Sequence, residues 1–142
     1  MGTNAQETTS YKEKHPYKDW VKIAPKLDDA FLTTPEAIRI ADNVLLYQHT
    51  TGGWPKNVYM PAELTTDEYK KVLAAKNNVN ESTIDNSATS TEIRYLSRIY
   101  LATRIEKYKD AALEGIRYLL KAQYPNGGWP QFWPRPKGYY TH

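Results

Sequence analysis

The sequence contains no cysteine, which excludes a disulfide framework and any thiolate metal site. It has no apolar run near the roughly 18 residues that a membrane-spanning helix requires, so no membrane partner is expected. The opening stretch, MGTNAQETTSYKEKHPYKDW, has none of the apolar core of a secretory signal. A dominant charge is missing too: 19 basic against 16 acidic residues leave a net +3, a value that solubility alone accounts for. The basic residues are scattered, with no arginine-rich stripe or recognised motif, which argues against nucleic acid as a partner. Phenylalanine is scarce, with two residues, whereas tyrosine and tryptophan number twelve and four. Tyr and Trp combine a flat apolar face with a polar handle. That suits contact with sugars, and equally a half-buried place at a helix end.

What is present is helical period. The 142 residues, 40% hydrophobic and 25% charged, suit one globular domain. Thr34-Pro35-Glu36 reads as an N-cap followed by proline at the first helical position, and Ala37, Ile38, Ala41, Val44 and Leu45 form the apolar stripe behind it. Thr65 and Glu68 make a capping box ahead of Tyr69, Val72 and Leu73. A third helix is predicted over residues 91–103, with Leu96, Ile99, Tyr100 and Thr103 on one side. A fourth starts near Lys107 and carries Tyr108, Ala112, Ile116, Leu119 and Leu120. No alternating strand pattern extends beyond a few residues, so the fold class is all-α.

One turn occurs twice. QHTTGGWPKN (48–57) and QYPNGGWPQF (123–132) align at an offset of 75 residues. The same offset places Gln48 on Gln123, Leu45 on Leu120, Val44 on Leu119 and Ala37 on Ala112. Each unit reads as apolar helix, Gln, three residues, Gly-Gly-Trp. Glycine supplies the left-handed turn that ends a helix, the Gln side chain can bond loop backbone, and the Trp can pack across the turn. Helix hairpins repeated with one kind of turn at the same end build an α/α toroid, here an incomplete one, since two repeats bury only part of such a core. Residues 1–20 are expected to be a polar, poorly ordered segment and 21–142 the N-terminal portion of the toroid domain.

Three stretches are more polar than a plain core needs: TGGWPKN (51–57), STIDNSATSTEI (82–93) and WPRPKGYYTH (133–142). With AQYPNGGWPQF, and in this order and spacing, they resemble the family 10 polysaccharide lyases, the pectate lyases, over residues 35–142. A lone Gly-Gly-Trp turn is weak, because terpene cyclases and other α/α toroids carry a similar one. The Thr-Ile-Asp-Asn-x-Ala-Thr segment together with the long second turn is much more specific.

The resemblance implies calcium-assisted β-elimination of polygalacturonate. A base removes the proton on C5, alpha to the uronate carboxylate, and the C4 oxygen leaves. The developing enolate-like charge calls for a cation, and Ca2+ takes oxygen ligands. By the resemblance Asp85 is the calcium carboxylate, against a cap of the third helix shared with Asn86 and Thr89. Lys56 is a substrate contact, against an exposed surface lysine. Asn86 and Arg94 are further substrate contacts, the one with a capping and the other with a solvent-facing alternative, and so is Tyr140, which lies where the family continues into another active-site segment. Trp54 and Trp129 read as turn packing. The family continues past the GYYTH segment into a second acidic stretch and a catalytic arginine, so no catalytic residue is assigned within the chain. None of Arg39, Arg94, Arg98, Arg104, Arg117 or Arg135 matches that motif. The isolated chain is therefore expected to be a weak or inactive lyase. The alternatives are a non-catalytic uronate-binding module and a structural toroid segment. A glycoside hydrolase would need spaced acid and base carboxylates, and Glu63, Asp67 and Glu68 read instead as a capped helix start. By substrate class the protein is expected outside the cell or in the periplasm, as a monomer.

Overall fold

The computed structural model describes residues 18–123, 126–130 and 132–134. Helix α1, Lys18–Ile23, runs into the 3-10 turn Ala24–Lys26 and is followed by a second such turn, Phe31–Thr33. Helix α2 spans Pro35–Tyr47, α3 Thr66–Ala75, α4 Ser90–Thr103 and α5 Glu106–Ala122, with a single 3-10 turn at Asp85–Ser87. Among the described residues β-pairing is limited to isolated bridges from Thr83 to Trp54 and to Phe132, so the all-α reading holds. No helix there is long and apolar enough to cross a membrane.

Local chemistry sets the helix ends. Thr34 Oγ1 accepts from Ala37 N at 3.2 Å, with Pro35 behind it. Thr65 and Glu68 satisfy each other's backbone N–H at 2.9 and 3.1 Å, as a capping box should. Arg104 adopts a left-handed conformation (φ 61°) after α4, and with Ile105 it turns the chain into α5, making a helix hairpin. Lys76 Nζ donates to the carbonyls of Leu45, Leu46 and Gln48, closing the C-terminal end of α2, where the helix dipole favours a cation.

The core lies between α1, α2, α4 and α5. It holds Trp20, Leu32, Val44, Trp54, Tyr95, Leu96, Ile99 and Tyr108. Trp20 meets Tyr95 edge-on, with ring centroids 5.1 Å apart. The buried phenols find partners: Tyr95 OH donates to Ala37 O and Tyr108 OH to Asp42 Oδ1, both at 2.7 Å. The fold therefore reaches back past the division expected at residue 20, since Trp20 is a core residue. Residues 1–17 lie outside the described ones.

The apolar stripes differ from expectation in an instructive way. On α2 the buried positions are Ala37, Ile40, Ala41 and Val44, with Ile38 and Leu45 half-buried beside them. Helix α3 buries none of its residues, and Tyr69 and Leu73 are exposed. On α5 the inward face is Tyr108, Ala111, Ala112, Gly115, Tyr118 and Ala122, whereas Ile116 and Leu120 face outward. Small residues govern this face. A Cβ on Gly115 would stand 2.6 Å from Ile93 Cγ1 and 2.8 Å from Trp54 Cζ3, so the glycine lets α4 and the first turn come close to α5.

The repeated turn is duplicated in three dimensions. Gln48 Nε2 donates to Gly52 O and Gln123 Nε2 to Gly127 O, each at 2.9 Å. Trp54 Nε1 donates to Val44 O at 2.8 Å and Trp129 Nε1 to Leu119 O at 2.7 Å. Gly52 and Gly127 have φ of 96° and 92°, which a side chain disfavours. The copies differ in what covers them. Gln48 also donates to Ala111 O on α5, and Trp54 is wholly buried, whereas Trp129 is 39% exposed. This is the helix-pair and turn pattern of an α/α toroid segment.

Candidate functional site

The segment 82–89 is stitched between the chain that trails each Gly-Gly-Trp turn. Thr83 N donates to Trp54 O at 3.1 Å, and Trp133 N donates to Ser82 O at 3.2 Å. Past Thr83 the chain cannot continue as a strand, because Asp85 N bonds back to Thr83 Oγ1 at 3.0 Å, a local turn of the kind threonine favours. Three of the next residues then take positive φ: Asn86 (53°), Ser87 (63°) and Thr89 (68°). Such backbone is costly for residues with a Cβ and persists only where the surroundings over-determine it.

Those surroundings are identifiable. Trp54 N donates to Thr89 Oγ1 at 3.0 Å, and that hydroxyl donates to Thr83 O at 2.8 Å. Thr91 Oγ1 donates to Ser87 O at 2.8 Å. Asn86 Nδ2 reaches Asn57 Oδ1 at 2.9 Å, and Asn57 itself has a positive φ of 64°. Beneath the loop Glu92, 2% exposed, accepts from Thr89 N and from Trp20 Nε1, both at 2.7 Å. Burial raises its carboxyl from 4.5 to about 7, with the two N–H donors pulling the other way.

On the outer side of this loop Lys56 Nζ donates to Asp85 Oδ2 at 2.6 Å. The ammonium also stands 5.4 Å from the centroid of Phe132, within cation–π range. Both charged side chains are part-exposed, so the pair is open to solvent. Lys56, Asp85 and Asn86 are thus brought together with Asn57 and Phe132. The cap alternative for Asp85 fails: α4 begins at Ser90 with Thr89 before it, and the Asp85 carboxylate turns to Lys56. Arg94 is elsewhere. It is exposed on α4 and lines a separate cleft with Thr91, Ser97 and Arg98. Tyr140, with Tyr139 and His142, lies outside the described residues.

Among the described residues no three His, Asp or Glu side chains converge on a point that would hold a metal ion. Calcium takes six to eight oxygens, and Asp85 offers one carboxylate already bonded to an ammonium. The described donors do not by themselves make a calcium site. The described arginines have other partners or places. Arg39 pairs with Glu36, Arg117 with Glu114, and Arg98 donates to the carbonyls of Ala24 and Leu27.

Sequence reasoning passes over Glu92, Trp20 and Thr83. The T-x-x-E spacing that marks Thr65 and Glu68 also marks Thr89 and Glu92, and that was the available signal. Nothing in the sequence points from Trp20 to a carboxylate 72 residues away.

A model of the pectic acid lyase family matches residues 48–142, a span that contains both turns and the Asp85 loop. The chain belongs to the pectic acid lyases. Among solved structures it is similar to a family 10 polysaccharide lyase from Cellvibrio cellulosa, at 34% identity and a TM-score of 0.53. It is also similar to an aspartate-to-alanine mutant of that enzyme in complex with trigalacturonic acid, at 31% identity and a TM-score of 0.53. Each likeness covers 85% of this chain and 32% of the other, so this pectic acid lyase chain spans about a third of its neighbours' length. No curated protein matches it significantly.

Proposed function

We propose that the chain binds polygalacturonate at the Lys56–Asp85 loop and contributes that loop to calcium-assisted β-elimination. The observation that carries the reading is the solvent-open Lys56–Asp85 pair, set on a strained loop that both Gly-Gly-Trp turns hold. A uronate carboxylate entering there meets an ammonium in a position fixed by Phe132 and Asp85. Positive charge at that carboxylate favours loss of the C5 proton, because it stabilises the enolate-like charge that develops. Calcium, when bound, supplies more of the same positive charge. The buried Glu92–Thr89–Trp54 bonds keep the loop in one shape, so orientation is set before substrate arrives.

Asn86 beside Asp85, and Tyr140, are the further proposed contacts to the polymer, whereas Arg94, on its separate cleft, is left out of them. We take residues 21–142 as the N-terminal portion of a lyase domain, with α1 from Lys18 packed onto it through Trp20 and the sequence before α1 a polar lead. A site outside the cell or in the periplasm follows from the substrate class, and the protein is proposed to act there as a monomer.

The described arginines, placed as above, give a non-catalytic uronate-binding module its support as the second reading. The test is ultraviolet absorbance of the unsaturated uronide, with the folded chain, polygalacturonate at alkaline pH, and calcium or chelator. We expect binding with weak turnover or none. Vigorous calcium-dependent turnover would show that a complete catalytic set lies in this chain and overturn the expectation of a missing base. A chain that binds no oligogalacturonate would overturn the substrate class.

A further inference from the structure

Lys56 has a second setting. Besides meeting Asp85 it lines a cleft of about 600 Å³ that runs toward α3, with Tyr47, Lys71, Val72, Ala75 and Phe132 among its walls. That volume lies within the range of about 300–1,000 Å³ usual for small-molecule sites. The cleft exists because α3 buries none of its residues: Val72 and Ala75 form a wall instead of joining the core. The helix is held off by specific bonds, with Lys76 Nζ on the end of α2 and Thr50 N donating to Lys76 O at 2.8 Å.

The polar groups of the cleft sort by sign. His49 is buried, and both its ring nitrogens are engaged, with Tyr47 O at 3.0 Å and Glu81 Oε1 at 2.9 Å. The Glu81 carboxylate is thereby directed to His49. Lys71 is exposed and forms no ion pair among the described residues. Two ammonium groups, Lys56 and Lys71, therefore border a space whose faces are aromatic and aliphatic. An anionic sugar has the matching chemistry: an apolar C–H face for Phe132 and Tyr47, and a carboxylate for an ammonium.

We propose that this cleft is a second uronate subsite, which takes the sugar unit next along the polymer from the one at Lys56 and Asp85 and receives its carboxylate on Lys71. The inference rests on the polygalacturonate reading above and adds to it the residues that recognise chain length.

The test is calorimetric titration of the wild-type chain, Lys71→Ala, Lys71→Arg and Ala75→Phe with galacturonate and its oligomers of two to five units. Circular dichroism and thermal unfolding would verify that each variant is folded. For the wild type, affinity should rise about three- to fivefold between one unit and two, the range expected of an exposed ion pair. Lys71→Ala and Ala75→Phe should lose that rise while still binding the single galacturonate unit as the wild type does. Lys71→Arg should keep most of it. A rise of equal size in Lys71→Ala and Ala75→Phe, or a wild type whose affinity is flat with length, would overturn the subsite and leave the substrate class standing. A wild type that binds no oligomer of any length would overturn both.

Discussion

Raising the pH from 5 to 8 should destabilise this fold through one carboxyl group. Glu92 is 2% exposed and lies under the Asp85 loop, accepting from Trp20 Nε1 and Thr89 N. Its proton is held up to about pH 7 in the folded chain, against 4.5 ordinarily. Below 4.5 both folded and unfolded chains carry the proton and the group's favourable contribution is complete. Between 4.5 and about 7 the unfolded chain gives up its proton while the folded one keeps it, so stability falls as pH rises. The interval, at about 1.4 kcal/mol for each tenfold change in proton affinity, amounts to about 3 kcal/mol by pH 8. Glu36 is shifted the other way by Arg39, and so acts below pH 4.5, outside this window. Urea unfolding of the wild type and of Glu92→Gln at pH 5, 6.5 and 8 would measure the slope. The glutamine oxygen can accept from one donor, but its amide then faces the other. The variant should therefore be less stable at pH 5, by about 1–3 kcal/mol, and lack the slope, so that the two curves converge toward pH 8. The same slope in Glu92→Gln would refute the assignment to this residue.

The two copies of the turn should respond unequally to one substitution. Gly52→Ala meets both a positive φ and Glu114 O at 2.5 Å, and should cost about 2–5 kcal/mol in unfolding free energy. Among the described residues Gly127→Ala meets the backbone cost alone, the nearest atom there being Gln123 Nε2 at 3.9 Å, and should lose about 1–2 kcal/mol. Thr89→Val leaves Trp54 N and Thr83 O without their shared partner; it should cost about 2–4 kcal/mol and weaken oligogalacturonate binding in calorimetry. An equal loss at both glycines, or full stability in Thr89→Val, would contradict the packing described.

Much of the fold was legible because it is written in local chemistry. Thr34 and Pro35 announce α2, Thr65 and Glu68 announce α3, and the duplicated Gln, Gly and Trp take the same bonds in both turns. The depth of each stripe was less legible. Tyr108 and Ala112, expected on the inward face of α5, lie there, but Ile116 and Leu120, expected with them, turn outward, and Ala111 and Gly115 take the inward places, Gly115 so that Trp54 and Ile93 can approach. Tyr69 and Leu73 follow a good helical period, but α3 borders a cleft and does not enter the core. The candidate site divided the same way. The Thr-Ile-Asp-Asn segment drew attention to Asp85 and Asn86, and the turn to Lys56. That these form one ion-paired loop depends on Thr83 bridging two distant turns. Trp20 and Glu92 meet only through tertiary packing, which no spacing along the chain reveals.

The most direct test of the central claim is calorimetric titration of trigalacturonate, with and without calcium, into the wild-type chain, Asp85→Ala and Lys56→Met. The account predicts measurable binding by the wild type, a loss of about tenfold or more in Lys56→Met with or without calcium, and in Asp85→Ala a loss of the part of the affinity that calcium adds, with all three proteins folded. Unchanged affinity in both variants, or no binding by a folded wild type, would contradict it.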